Sequence, residues 1–170
     1  LATLPELISD PATLDELNLD QKDLTFLPEW IGKLSQLRSL SLYRNQLKAV
    51  PNFFWRLTNL QILNLSDNQL TSLSEGIGNL VKLHMLDLGH NQLKSLPEAI
   101  GNLMELAFLY LSNNHLTVLP QSFRNLSNLI YLNFTDNRLN SLPPFIGSLT
   151  ALIELRLYNN MLTALPDEIG

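Results

Sequence analysis

The chain has no cysteine, which excludes a disulfide framework and a thiolate metal site. No apolar run approaches the roughly 18 residues of a membrane-spanning helix, and no signal-peptide pattern is visible, so no membrane association is expected. The motifs of nucleophilic hydrolases are missing, with no G-x-S-x-G and no Ser-x-x-Lys. The seven glycines recur mostly in an Ile-Gly context and never gather into a phosphate loop. Charge of one sign is also scarce. Eleven basic and 16 acidic residues leave a net charge of −5, too little for a general affinity for nucleic acid and of the wrong sign. The acidic excess is local, because residues 1–36 hold seven acids against two bases while the remainder holds nine of each. These absences point away from an enzyme and away from any cofactor, and a cytoplasmic setting is expected, with a secreted bacterial protein as the other option.

What the chain does have is a repeat. The pattern LxxLxLxxNxL begins at Leu14 and returns every 23 residues, at Leu37, Leu60, Leu83, Leu106, Leu129 and Leu152, without insertion or deletion. Its asparagine is Asn45, Asn68, Asn91, Asn114, Asn137 and Asn160, with Lys22 in the first unit. The second half of each unit reads LPxxIGxL, as in Leu96-Pro97-Glu98-Ala99-Ile100-Gly101-Asn102-Leu103. Alternating leucines point to one side of a strand. A single unit cannot bury them, so stacked neighbours must sandwich them. The proline at the fifteenth position ends the strand and opens a turn, with Ser74 as the exception. The asparagine is expected to satisfy backbone groups buried between units.

These residues resemble leucine-rich repeats over essentially the whole chain. The 23-residue unit is similar to the type found in Ras-pathway scaffold proteins and in bacterial repeat proteins. The resemblance implies an α/β solenoid shaped as a horseshoe, with a parallel sheet on the concave face and short helical or 3-10 turns on the convex face. Residues 1–13 align with the second half of a unit, and 14–170 hold seven units, the last incomplete. The core leucines of the last unit are not replaced by polar residues, so the chain reads as a module of something longer, expected to be monomeric in isolation.

Chemistry is thinly represented. His84, His90 and His115 fall at positions two, eight and ten of the unit and show no metal-ligand spacing. Three sequons, at Asn64, Asn125 and Asn133, follow from the repeat's own preference for Asn-Leu-Ser, and two of them would place sugars on the inner sheet. Glu98, on the outer side, is expected to be inert.

The positions that the repeat does not dictate are more informative. The third position reads Glu16, Ser39, Ile62, Met85, Phe108, Tyr131, Glu154. It should face outward from the inner sheet, so four successive units present large apolar groups there. Tyr110, at the fifth position, widens this stripe. The seventh position carries Tyr43 and Tyr158 toward the two ends with small residues between them, and Arg156 adds a cation at one end. Cross-strand packing alone also favours such residues. A contiguous exposed apolar stripe of interface-enriched types nevertheless marks Ile62, Met85, Phe108, Tyr110, Tyr131, Tyr43, Tyr158 and Arg156 as candidate contacts for a partner protein. A second aromatic cluster, Phe53-Phe54-Trp55 near Trp30, is expected to pack locally on the outer side. The alternative role is a substrate-recognition arm of a larger enzyme, such as a ubiquitin ligase or a GTPase-linked protein.

Overall fold

A computed structural model describes residues 13–169. The partial unit expected at residues 1–13 therefore lies outside the described residues except for Thr13. Seven three-residue strands recur at the repeat spacing: β1 Glu16–Asn18, β2 Ser39–Ser41, β3 Ile62–Asn64, β4 Met85–Asp87, β5 Phe108–Tyr110, β6 Tyr131–Asn133 and β7 Glu154–Arg156. They form one parallel sheet in sequence order, and each residue pairs with its equivalent 23 residues on, as Leu63 does with Leu86 and Leu86 with Leu109. The sheet does not close on itself, and it lines the concave side of a horseshoe.

The strands are short because only the LxL segment alternates. The leucine at the centre of an inner strand, such as Leu63, Leu86 or Leu109, is fully buried, while the flanking residues face the open side. Each such leucine contributes about 1.5–3 kcal/mol by leaving water. Past the strand the chain turns at the eighth position, where Arg44, Asp67, His90, Asn113, Asp136 and Asn159 all adopt a left-handed backbone with φ of 52–57°. Asparagine, aspartate and histidine tolerate that region better than most side chains, which accounts for their recurrence at this position.

The asparagine of each unit then joins two repeats. Asn114 Nδ2 donates to Leu111 O and Ser112 O in its own unit and to Leu88 O in the preceding one, at 3.0–3.3 Å. Its Oδ1 accepts the Leu93 N–H at 2.9 Å. The same set recurs from Asn45 to Asn160. Lys22, which replaces the first asparagine, is exposed, and its own N–H donates to Asn45 Oδ1.

On the convex side each proline enters a 3-10 turn with φ near −70°, as Pro97 does before Glu98–Asn102. Where Ser74 replaces proline, its hydroxyl accepts the Gly76 N–H, so a side-chain cap substitutes for the ring's fixed φ. Successive turns fit by size. The nineteenth position of one unit faces the seventeenth of the next, and one of the two is small in most pairs. Gly32 receives Phe53, Gly78 receives Ala99 and Gly101 receives Ser122. Trp55 reverses the order. It fills the usual glycine position, and Gly76 makes room, since a Cβ there would lie 2.2 Å from the indole. Phe54 and Trp55 are both buried, 5.2 Å apart edge to face. The outer aromatic cluster is thus local packing, in line with its composition.

Candidate partner-binding face

Register brings the third-position residues side by side. Ile62 pairs with Met85, Met85 with Phe108, and Phe108 with Tyr131. Ile62 and Phe108 are 41% and 39% exposed, while Met85 and Tyr131 are half-buried. At about 4.8 Å per strand the four form a continuous stripe of roughly 15 Å. Tyr110 leans diagonally onto Tyr131, ring centroids 4.9 Å apart. The fit dries the Tyr110 hydroxyl enough to raise its pKa, and the neighbouring Tyr131 and Asp87 add to the shift.

Arg156 is exposed, as the sequence suggested, but it is not a free cation. Its Nε donates to Glu154 at 2.6 Å, and its guanidinium lies 5.6 Å from the Tyr131 ring centre. Those interactions hold it charged and fixed at the edge of the stripe. Tyr43 and Tyr158 stand apart from the stripe and from each other, separated by five strand steps, roughly 24 Å. Tyr43 lies under the Arg44 guanidinium, which pairs with Asp67 at 3.0 Å. Tyr158 is 74% exposed. Between them Ser66 and Gly89 are buried and Ser112 and Thr135 half-buried, which gives the low floor beside the stripe.

The floor is lined by short polar side chains that bond to themselves. Asn64, Asp87 and Asn133 each accept the backbone N–H two residues on, at 2.9 Å. Ser66 Oγ also donates to Asn64. The Asn-x-Ser/Thr sequences on the sheet are therefore turn-forming devices. Asp87 is largely withdrawn from water, and this burial lifts its carboxyl above the usual range, partly offset by the Gly89 N–H.

Two features lie beyond the sequence expectations. The second position places Ala107, Ile130 and Ile153 just before the stripe on the strand rim, with Ile153 84% exposed. Ala107 and Ile130, next in sequence or register to Phe108, border a shallow hollow of about 310 Å³ that is also lined by His84, Glu105, Asn128 and Ala151. The signal for them is the second position read down the repeats, just as the third position gives the stripe. The other feature corrects the expectation that Glu98 is inert. Its carboxylate accepts the Gln121 and Ser122 N–H groups at 3.1 and 2.9 Å, so it caps the turn of the following unit. The Ser122 bond is the main cause of its lowered pKa. Glu75 does the same for Ala99.

Among the described residues no three His, Asp or Glu side chains are grouped to hold a metal, and no helix is long and apolar enough to cross a membrane. Family profiles described as leucine-rich repeat region and leucine rich repeat match residues 63–170 and 12–70. No curated protein matches the chain. Among solved structures, a leucine-rich-repeat protein of Leptospira interrogans is 32% identical, with a TM-score of 0.72 over 99% of this chain and 55% of its own. The leucine-rich-repeat ectodomain of the Arabidopsis thaliana membrane receptor kinase GASSHO1/SCHENGEN3, solved in complex with Casparian strip integrity factor 2, is 36% identical. Its TM-score is 0.76, over 85% of this chain and 18% of the ectodomain chain. An internalin of Listeria monocytogenes shares the fold at 24% identity and a TM-score of 0.81, over 93% of this chain and 49% of its own. The chain thus spans about half, or less, of the length of these proteins.

Proposed function

The chain belongs to the leucine-rich-repeat family, whose members generally serve as interaction modules, and from that premise we propose that it binds another protein on the concave sheet, over Ile62, Met85, Phe108 and Tyr131. The observation that carries this reading is the continuity of the apolar stripe. Four adjacent strands hold large side chains at the surface with Tyr110 and Arg156 packed around them, where polar residues would serve the fold equally well. Tyr43 and Tyr158 mark the outer limits of the binding surface. The receptor ectodomain solved with a bound factor supports the same use of such repeats. Binding and positioning require no catalysis, and the self-satisfied polar groups of the floor fit that role. A second reading, the recognition arm of a longer protein, is favoured by one fact: the structural neighbours carry such repeats within much longer chains. Both readings use the same face.

An alanine series with a partner in hand tests the assignment. Phe108→Ala and Tyr131→Ala should each weaken binding by about 2 kcal/mol or more, some thirtyfold. Stability should fall by no more than about 1 kcal/mol in either variant, the scale of a single cross-strand side-chain pair. Ile62→Ala and Met85→Ala should cost less affinity, and Lys94→Ala, at an exposed position off the sheet, should cost none. Normal binding by the aromatic variants would remove the site from this face.

A further inference from the structure

The charges around the stripe narrow the chemistry of what it binds, if the concave face is the binding face. Two of the guanidinium groups there are already answered, Arg44 by Asp67 and Arg156 by Glu154. Asp15, Glu16, Asp20, Asp87 and Asp136 remain on the strands and their rims, against Arg38, which neighbours Asp15 on the next strand, and Lys22, two residues past Asp20. Asp20, Asp87 and Asp136 accept hydrogen bonds from neutral donors, Asp20 from Asn18, Ser41 and Tyr43, Asp87 from Gly89 and Asp136 from Asn159, so their charge is held in place and not cancelled. The excess is also lopsided. Asp15, Glu16 and Asp20 all belong to the β1 unit, whereas the apolar surface runs from β3 to β6 and spreads onto Ala107 and Ile130 at the rim.

We propose that the concave face takes an extended peptide segment laid across the strands, with a lysine or arginine over the β1 unit and apolar side chains over Met85, Phe108 and Tyr131 of β4–β6. The distances set its register. From β1 to β4–β6 is three to five strand steps, about 14–24 Å. An extended chain advances about 3.3 Å per residue, so the cation and the apolar anchors lie about four to seven residues apart. A neutral or acidic segment would cover the β1 carboxylates without replacing their water, which is costly. A second copy of this chain placed face to face would set acid against acid. The hollow beside Phe108, about 310 Å³, has room for one apolar side chain of the segment.

The test is selection from a displayed library of random peptides, about twelve residues long, on the full 170-residue chain. Fluorescence anisotropy then follows the enriched peptide against the wild type, an Asp15→Asn/Glu16→Gln double variant and Tyr131→Ala, each first shown to melt like the wild type. The enriched pool should carry Lys or Arg about four to seven residues from an aromatic or aliphatic residue. Neutralising the two acids should weaken binding about tenfold in low salt, and so should replacing the peptide's cation by glutamine. The two changes together should cost little more than either one. The difference should shrink between about 0.05 M and about 0.5 M salt, as screened surface charges require. Uncharged or acidic peptides that still lose affinity with Tyr131→Ala would overturn this inference and leave the face standing. Enriched peptides indifferent to Tyr131→Ala would overturn both. A library that yields no enriched peptide would overturn the peptide class.

Discussion

Asn114 is 4% exposed and touches backbone groups of two repeats, with its amide donating to three carbonyls and its oxygen taking the Leu93 N–H. Removing the side chain strands those groups away from water, and Asn114→Ala should lower unfolding stability by about 1–3 kcal/mol in chemical denaturation. The same truncation at exposed Lys22, whose bond to Asn45 is through its backbone, should cost far less. Equal losses at the two positions would contradict the ladder. Glu98 shows a different single-residue effect. Its carboxyl is held below the ordinary 4.5 by the turn it caps. A carboxylate lowered in the folded state stabilises above its unfolded pKa and loses that contribution as the pH falls through the folded value. Thermal melts should therefore place Glu98→Gln below the wild type at neutral pH, with the gap closing at pH values below 4.5. A gap that persists in strong acid would assign the loss to something other than the carboxylate.

The 3-10 turns on the outer side are fitted to one another by size, and the Trp55–Gly76 pair exposes the rule by inverting it. Gly76→Ala should destabilise, because its Cβ would strike the indole. Trp55→Gly should cost about 3–5 kcal/mol, the scale of a large aromatic removed from a packed site. In the Trp55→Gly background, Gly76→Ala should cost much less, and a double-mutant cycle should show that coupling. Additive losses would mean that the two residues do not share one space. This pairing was legible in principle, since both positions can be read down the repeats, but only when read together and one unit apart. The strands themselves were fully legible, because alternation of leucine forces Ile62, Met85, Phe108 and Tyr131 outward. The left-handed turn at the eighth position was written there too, in Asp67, His90, Asn113, Asp136 and Asn159, though each residue type is common enough to pass as ordinary surface. The capping role of Glu98 was not legible. It depends on how closely the turns of neighbouring units approach, which no single unit specifies.

At the scale of the whole molecule, the repeats make a surface that no one of them contains. Each unit contributes a strand of three residues, and stacking in strict register converts one outward residue per unit into a continuous line. Register also explains why binding can change without refolding. The leucines that hold the stack lie behind the sheet, and the side chains that line the open face can be replaced with little cost to the core. The sequence made the stripe visible, and the rim at Ile130 and Ile153 could be read down the second position, but not the neutralisation of Arg156 by Glu154, which depends on how two long side chains on β7 settle against each other. The measurement that bears most directly on the account is hydrogen–deuterium exchange of the 170-residue chain with and without a saturating bound peptide or protein. Binding on the concave face predicts slowed exchange over Ile62–Asn64, Met85–Asp87, Phe108–Tyr110 and Tyr131–Asn133, and unchanged exchange in the outer turns Asn52–Arg56 and Glu98–Asn102. Protection confined to the outer turns, with those four strands unaffected, would contradict it.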